Sequence, residues 1–181
     1  MIYVFLADGF EEIEALSPVD FLRRAGLEVK TVALNGKYAT GSHGIKVEAD
    51  INISEMTLSQ NTDAIILPGG MPGSTNLNES AEVQKAIDYA VSNKKLLCAI
   101  CAAPFILGEK GLLNGKKATC FPGFENSLKG ALISKDAVVA DGNFITACGA
   151  GVAWEFAAEI AKKFVGEEKA QSILRGIQWK K

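Results

Sequence analysis

Histidine is almost missing from this chain: His43 is the only one in 181 residues. A tetrahedral zinc centre needs four nitrogen or sulfur ligands. The cysteines (Cys98, Cys101, Cys120 and Cys148) contain one C-x-x-C and no second one to complete such a set. No metal is therefore expected. A Cys-His hydrolase needs imidazole to take the thiol proton and return it to the leaving group. His43 lies in "GSHGIKVEAD", a segment that reads as exposed and extended, and no motif brings it to a cysteine. Long basic runs are also missing. With 19 basic and 21 acidic side chains the net charge is −2, so charge alone recruits neither nucleic acid nor anionic lipid. No uncharged run approaches the ~20 apolar residues of a spanning helix. The opening "MIYVFLA" is too short for a signal h-region and has no basic lead. Irregularly spaced cysteines in such a chain suggest reduced thiols in the cytoplasm rather than a disulfide framework.

What is present is regular. Hydrophobic residues make up 48% of the chain, enough for one domain over 1–181. Apolar strands are expected at 2–7, 28–34, 64–70, 96–100 and 117–121. Helices are expected at 11–26, 80–95, 152–166 and 167–177, and a hairpin at 137–147 turning on Asp-Gly-Asn. Pro18 should kink or restart the first helix. Strands apolar on both faces and alternating with helices indicate a mostly parallel sheet covered on both sides. The expected fold is a flavodoxin-like, doubly wound α/β sandwich. Its ligands would sit at the carboxyl ends of the strands.

Three strand ends stand out. Strand 96–100 runs into Cys101-Ala-Ala-Pro. A sharp strand–nucleophile–helix turn has room only for small residues two before and two after the nucleophile. Cys101 has Ala99 and Ala103 there, whereas Cys98 has Leu96 and Ile100. The steric test selects Cys101 and leaves Cys98 inside the strand. A helix N-terminus would favour its thiolate; the plain alternative is a buried cysteine acting as a small hydrophobe. A redox or zinc reading of "CAIC" is disfavoured, because the two thiols belong to different local structures. In "ADGFEEIEA", acids at Glu11 and Glu12 suit a helix N-terminus. Glu14 either does the same or turns inward, where burial would raise its pKa and let it share a proton with a thiolate. In "LPGG", Gly70 either forms an ordinary turn or aims its N–H, with that of Ala102, at an oxyanion.

Together with "ADGFEEIEALSPVDFLRRAGLEV", "DAIILPGGMPGSTNLNES", "AICAAP" and "DGNFITACGAGVAWEFA", these strand ends resemble the ThiJ/PfpI superfamily. The similarity is greatest to its parkinsonism-associated deglycase branch, and it runs through nearly the whole chain. The resemblance implies the same sandwich, Cys101 as the reactive group, Glu14 hydrogen-bonded to it, and Gly70 and Ala102 as oxyanion-type donors. It also implies a homodimer with the first helix in its interface, and no cofactor. Two departures matter. Relatives often carry a histidine in a T-H-P-like segment where this chain has "TCFP", placing Cys120 at that position. Where relatives often read S-R-G-P-G, this chain has "ACGAG", with Cys148 for the arginine. Peptidase and glutaminase activity is then disfavoured, since an amine leaves poorly unless protonated. Three readings remain. One is glutathione-independent glyoxalase or deglycase chemistry on a small aldehyde such as methylglyoxal. Another is an oxidant sensor in which Cys120 traps oxidised Cys101 as a disulfide. The third is a scaffold with a vestigial site.

Overall fold

The computed structural model describes residues 1–180. Its elements follow in chain order: β1 (Ile2–Leu6), α1 (Glu12–Arg24), β2 (Val29–Ala33), β3 (Tyr38–Thr40), β4 (Lys46–Glu48), β5 (Ile51–Asn52), β6 (Ala64–Leu67), α2 (Gly73–Glu79), α3 (Ala81–Ser92), β7 (Leu96–Ile100), α4 (Pro104–Glu109), β8 (Lys117–Ala118), β9 (Leu132–Ile133), β10 (Val138–Asp141), β11 (Phe144–Ala147), α5 (Ala153–Val165) and α6 (Glu167–Gly176).

A seven-stranded sheet has the order β10-β11-β7-β6-β1-β2-β5. Every neighbouring pair in it is parallel except the β10–β11 hairpin. Side-chain alternation divides the core. Ile2, Val4, Leu6, Ile66, Cys98, Ile100, Ile145 and Ala147 face α1, α5 and α6. Tyr3, Phe5, Ile65, Leu67, Leu97 and Ala99 face the apolar sides of α3 and α4. Burying each large side chain contributes roughly 1.5–3 kcal/mol. The sheet is therefore sealed on both faces, as the unbroken apolar strands require.

From β1 the chain builds outward through β2 and β5, then returns to place β6 on the other side of β1. This reversal opens the crevice where ligands of such sheets bind, at the carboxyl ends of the strands. The turns after β1, β6 and β7 meet there.

Two expectations need correction. Pro18 does not restart the first helix, since α1 runs through it without a break. It leaves the Glu14 carbonyl, four residues back, without that N–H. Segment 117–121 is not a strand of the main sheet. Only β8 pairs, with β9, in a separate two-stranded ladder. Beyond it the backbone finds other partners: Thr119 N–H donates to Thr146 Oγ1 at 2.9 Å and Phe121 N–H to the Cys101 carbonyl at 2.7 Å.

Candidate active site

Cys101 ends β7 in the left-handed region, at φ 64°. A non-glycine residue there costs on the order of 1–3 kcal/mol and persists only where its surroundings hold it. Here the backbone is tied on both sides. Cys101 N–H donates to the Ala147 carbonyl at 2.8 Å, and the Cys101 carbonyl accepts from Phe121 N–H. Ala99 and Ala103 are fully buried beside the turn, as the steric argument requires. Cys98 is also fully buried, and burial pushes its thiol well above the ordinary range. The two cysteines of "CAIC" thus occupy different worlds.

Glu14 turns inward and is 1% exposed. Its Oε2 accepts from Gly69 N–H at 2.9 Å. Its Oε1 is buried without a partner of ordinary hydrogen-bond geometry; the Cys101 thiol and the Ala150 N–H are near enough to act on the carboxyl. Burial raises Glu14 to about 7, against a downward pull from the thiol and with a further push from the Glu11 charge.

Gly69 sets this geometry, a role that the glycine pair in the sequence does not by itself assign. Its N–H holds Glu14, while its carbonyl accepts from Glu11 N–H at 2.9 Å. A Cβ on Gly69 would overlap Glu14 Oε2, Cys101 Cβ and the Ile100 carbonyl. Only glycine lets the carboxyl and the thiol approach from its two sides. The doublet in "LPGG" was the available signal: one glycine serves close approach, and Gly70 serves the left-handed turn at φ 85°.

The thiolate expected from a helix N-terminus is not favoured by the surroundings as they stand. Burial and the Glu14 carboxylate push the Cys101 thiol up to about 12, while the Ala102 and Gly70 N–H groups pull it down. The short α4, beginning three residues beyond Cys101, does not outweigh a buried negative charge. The part of that push due to the Glu14 charge vanishes when the proton sits on Glu14, while burial still holds the thiol up. The two groups act as one acid that loses a first proton near neutrality and holds the second tightly.

The remaining predicted residues lie as follows. Gly70 and Ala102 both present N–H groups to the thiol. Cys120 is 6% exposed and belongs to the core on the α3 and α4 side, whereas Cys101 packs against the opposite cluster. The charges that act on Cys120 come from Glu125 and Cys148, not Cys101. The side chain that emerges from this segment is Phe121, 47% exposed, its ring lying over Gly149. Among the described residues, Glu11, Glu12 and His43 form the one group with ligand atoms within 4.8 Å of one another. Hydrogen bonds within the protein already engage Glu12, one Glu11 oxygen and one ring nitrogen of His43. Glu11 Oε2 caps α1 through Glu14 N–H at 2.7 Å. Glu12 accepts from His43 N–H at 2.9 Å, Ile45 N–H at 3.3 Å and the His43 ring at 2.8 Å. The group acts as a clasp that fastens the 41–45 turn to α1. A cavity of about 360 Å³, lined by Asp8, Asn76, Glu79 and Glu82 among others, lies apart from Cys101.

A left-handed cysteine after a parallel strand, facing two backbone N–H groups and a buried carboxyl, has the backbone form of an elbow at the strand ends of a flavodoxin-like sandwich. Residues 1–163 match the DJ-1/PfpI family, and the chain belongs to that family. It is 37% identical to protein dj-1beta of Drosophila melanogaster over 177 residues, covering 96% of this chain and 94% of the relative. A protein named a deglycase from Pyrococcus horikoshii is 34% identical over 146 residues, covering 77% and 84%. The crystal structure of Drosophila DJ-1beta superposes with a TM-score of 0.92 at 35% identity, covering 99% of this chain and 98% of that one. Toxoplasma gondii DJ-1 in an oxidised form gives 0.91 at 32%, covering 99% and 98%. Among the described residues no helix is long and apolar enough to cross a membrane.

Proposed function

We propose that the chain is a cysteine-dependent protein acting on 2-oxoaldehydes such as methylglyoxal, with Cys101 as nucleophile and Glu14 as proton carrier. The observation that carries this reading is the buried Glu14 carboxyl, held by Gly69 N–H beside the left-handed Cys101. The Cys101 sulfur adds to the aldehyde carbon, giving a hemithioacetal whose oxygen is met by the Gly70 and Ala102 N–H groups. Glu14 then removes the hydrogen from that carbon and returns it to the neighbouring carbonyl carbon, leaving a 2-hydroxyacyl thioester on Cys101. Water hydrolyses the thioester to the hydroxy acid and frees the thiol. Neither an imidazole nor a cofactor is needed, because no amine has to leave. Relatives named deglycases support chemistry of this class. Methylglyoxal loss measured without added thiol tests it. Cys101→Ser should abolish turnover; full turnover in that variant rejects the mechanism.

A second reading rests on the same two N–H groups. They would also hold the oxygens of an oxidised Cys101, so the site can serve as an oxidant sensor with no metabolic turnover. Peroxide-dependent oxidation of Cys101 in a protein that leaves methylglyoxal untouched would favour it. We further propose a cytoplasmic homodimer through α1. Exposed Ile13 and Ile45 border a shallow apolar hollow with Leu16 and Trp154. Light scattering, with Ile13→Glu expected to give a monomer, checks this.

A further inference from the structure

Cys120 and Cys148 have no part in the chemistry above, yet the segments that carry them lie close together. Alternation along β11 sends Ile145 and Ala147 into the core under α5, and Phe144 into the core that contains Cys120. Thr146 follows Phe144: its Oγ1 accepts from the N–H of Thr119, the residue before Cys120. Cys148 is next on that side. It remains extended, since its N–H donates to the Ala137 carbonyl at 3.0 Å and continues the hairpin ladder one residue past β11. One step further, Gly149 lies under the Phe121 ring. The segments 119–121 and 146–149 therefore run side by side, with Cys120 and Cys148 in the middle of the match. Burial holds the Cys120 thiol up, and after it the charges of Glu125 and then Cys148.

The geometry points to Cys120 and Cys148 as an accessory dithiol that closes to a disulfide on oxidation, separate from Cys101. Cys148 is half-buried and Cys120 nearly enclosed, so a peroxide reaches Cys148 first. The Cys148 thiolate attacks the peroxide, taking one oxygen as sulfenate and releasing water or an alcohol. The Cys120 thiol then attacks the Cys148 sulfur, the S–S bond forms, and the sulfenic oxygen leaves as water. Two electrons pass from the pair to the peroxide. The sequence suggests Cys101 as the partner of Cys120; the proposed partner is Cys148 instead.

The test uses the Cys101→Ser variant, in which fully buried Cys98 is the only other thiol. After one equivalent of hydrogen peroxide, peptide mass spectrometry should find loss of two hydrogens, with Cys120 joined to Cys148 and the link reversed by dithiothreitol. Phenylarsine oxide, which bridges neighbouring thiols without oxidation, should add once per chain. Cys120→Ala or Cys148→Ala should each abolish both signals. The same link in wild-type protein, whatever its activity toward methylglyoxal, supports the proposal independently of the Cys101 mechanism. Arsenical addition without the disulfide overturns the redox role. Absence of both, or a Cys101–Cys120 link in wild-type protein, overturns the pairing.

Discussion

Glu12 and Glu14 stand two residues apart in the first turn of α1, at 5% and 1% exposure, and they titrate in opposite directions. Burial would raise Glu12, but the His43 ring and the backbone N–H groups of the 41–45 turn overturn it and hold the carboxyl below its ordinary range. Glu12 is screened only by that turn, close to the surface, and donors surround it. Glu14 lies deeper, has one donor from Gly69, and looks onto a thiol. Burial thus raises a carboxyl's pKa only where hydrogen bonds to the charged form are too few. The satisfied acid is structural, and the unsatisfied one is available for proton transfer.

The sharpest way to break this contrast is to remove each charge in turn. Glu14→Gln should lower kcat/KM for methylglyoxal by roughly 10²–10⁴-fold, the usual worth of a positioned acid–base group. Glu12→Gln should leave it within about one order of magnitude of wild type. In wild type, kcat/KM should rise with pH through about 7 as the Glu14–Cys101 pair loses its first proton. That limb should be lost from the Glu14→Gln profile. A limb near 7 that persists in Glu14→Gln would reassign the titration.

Stability should separate the same two residues. Between pH 4.5 and about 7 the folded chain keeps a proton on Glu14 that the unfolded chain has released. This contribution is fully present below the unfolded pKa and is lost as pH rises through the folded one. At pH 8 the buried charge costs about 3 kcal/mol on that shift. Glu14→Gln should therefore be more stable than wild type by up to about that amount at pH 8, with the gain shrinking toward zero near pH 4. Urea titrations at both pH values measure it, and an equal gain at both would reject the buried charge as its cause. Glu12→Gln should go the other way, losing about 1–3 kcal/mol as charge-assisted bonds to backbone donors weaken. The smallest effect belongs to His43→Gln. Its ring is exposed, so unfolding midpoints should barely move, while hydrogen exchange of the 41–45 amides should quicken.

Much of this contrast was invisible in "EEIE". Helical spacing shows that Glu11, Glu12 and Glu14 share a first turn, but not that Glu12 is covered by a turn 30 residues on. The elbow was more legible. Ala99 and Ala103 beside Cys101, against Leu96 and Ile100 beside Cys98, already carried the steric distinction that the left-handed φ expresses. The mostly parallel sheet covered on both faces followed from apolar strands alternating with helices. The error at 117–121 arose because a short, mostly apolar pentamer does not reveal whether a ladder partner is free to take it.

The amino-acid order by itself determined the sandwich, the strained turn at Cys101 and the choice between its two nearest cysteines. These depend on residue size and periodicity within a few positions. Only the tertiary structure decided that Gly69 holds Glu14, that Glu12 is a clasp, and that the Phe121 ring lies over Gly149. Those roles rest on donors, charges and side-chain faces contributed by segments distant in sequence, which meet only once the sheet has closed its crevice.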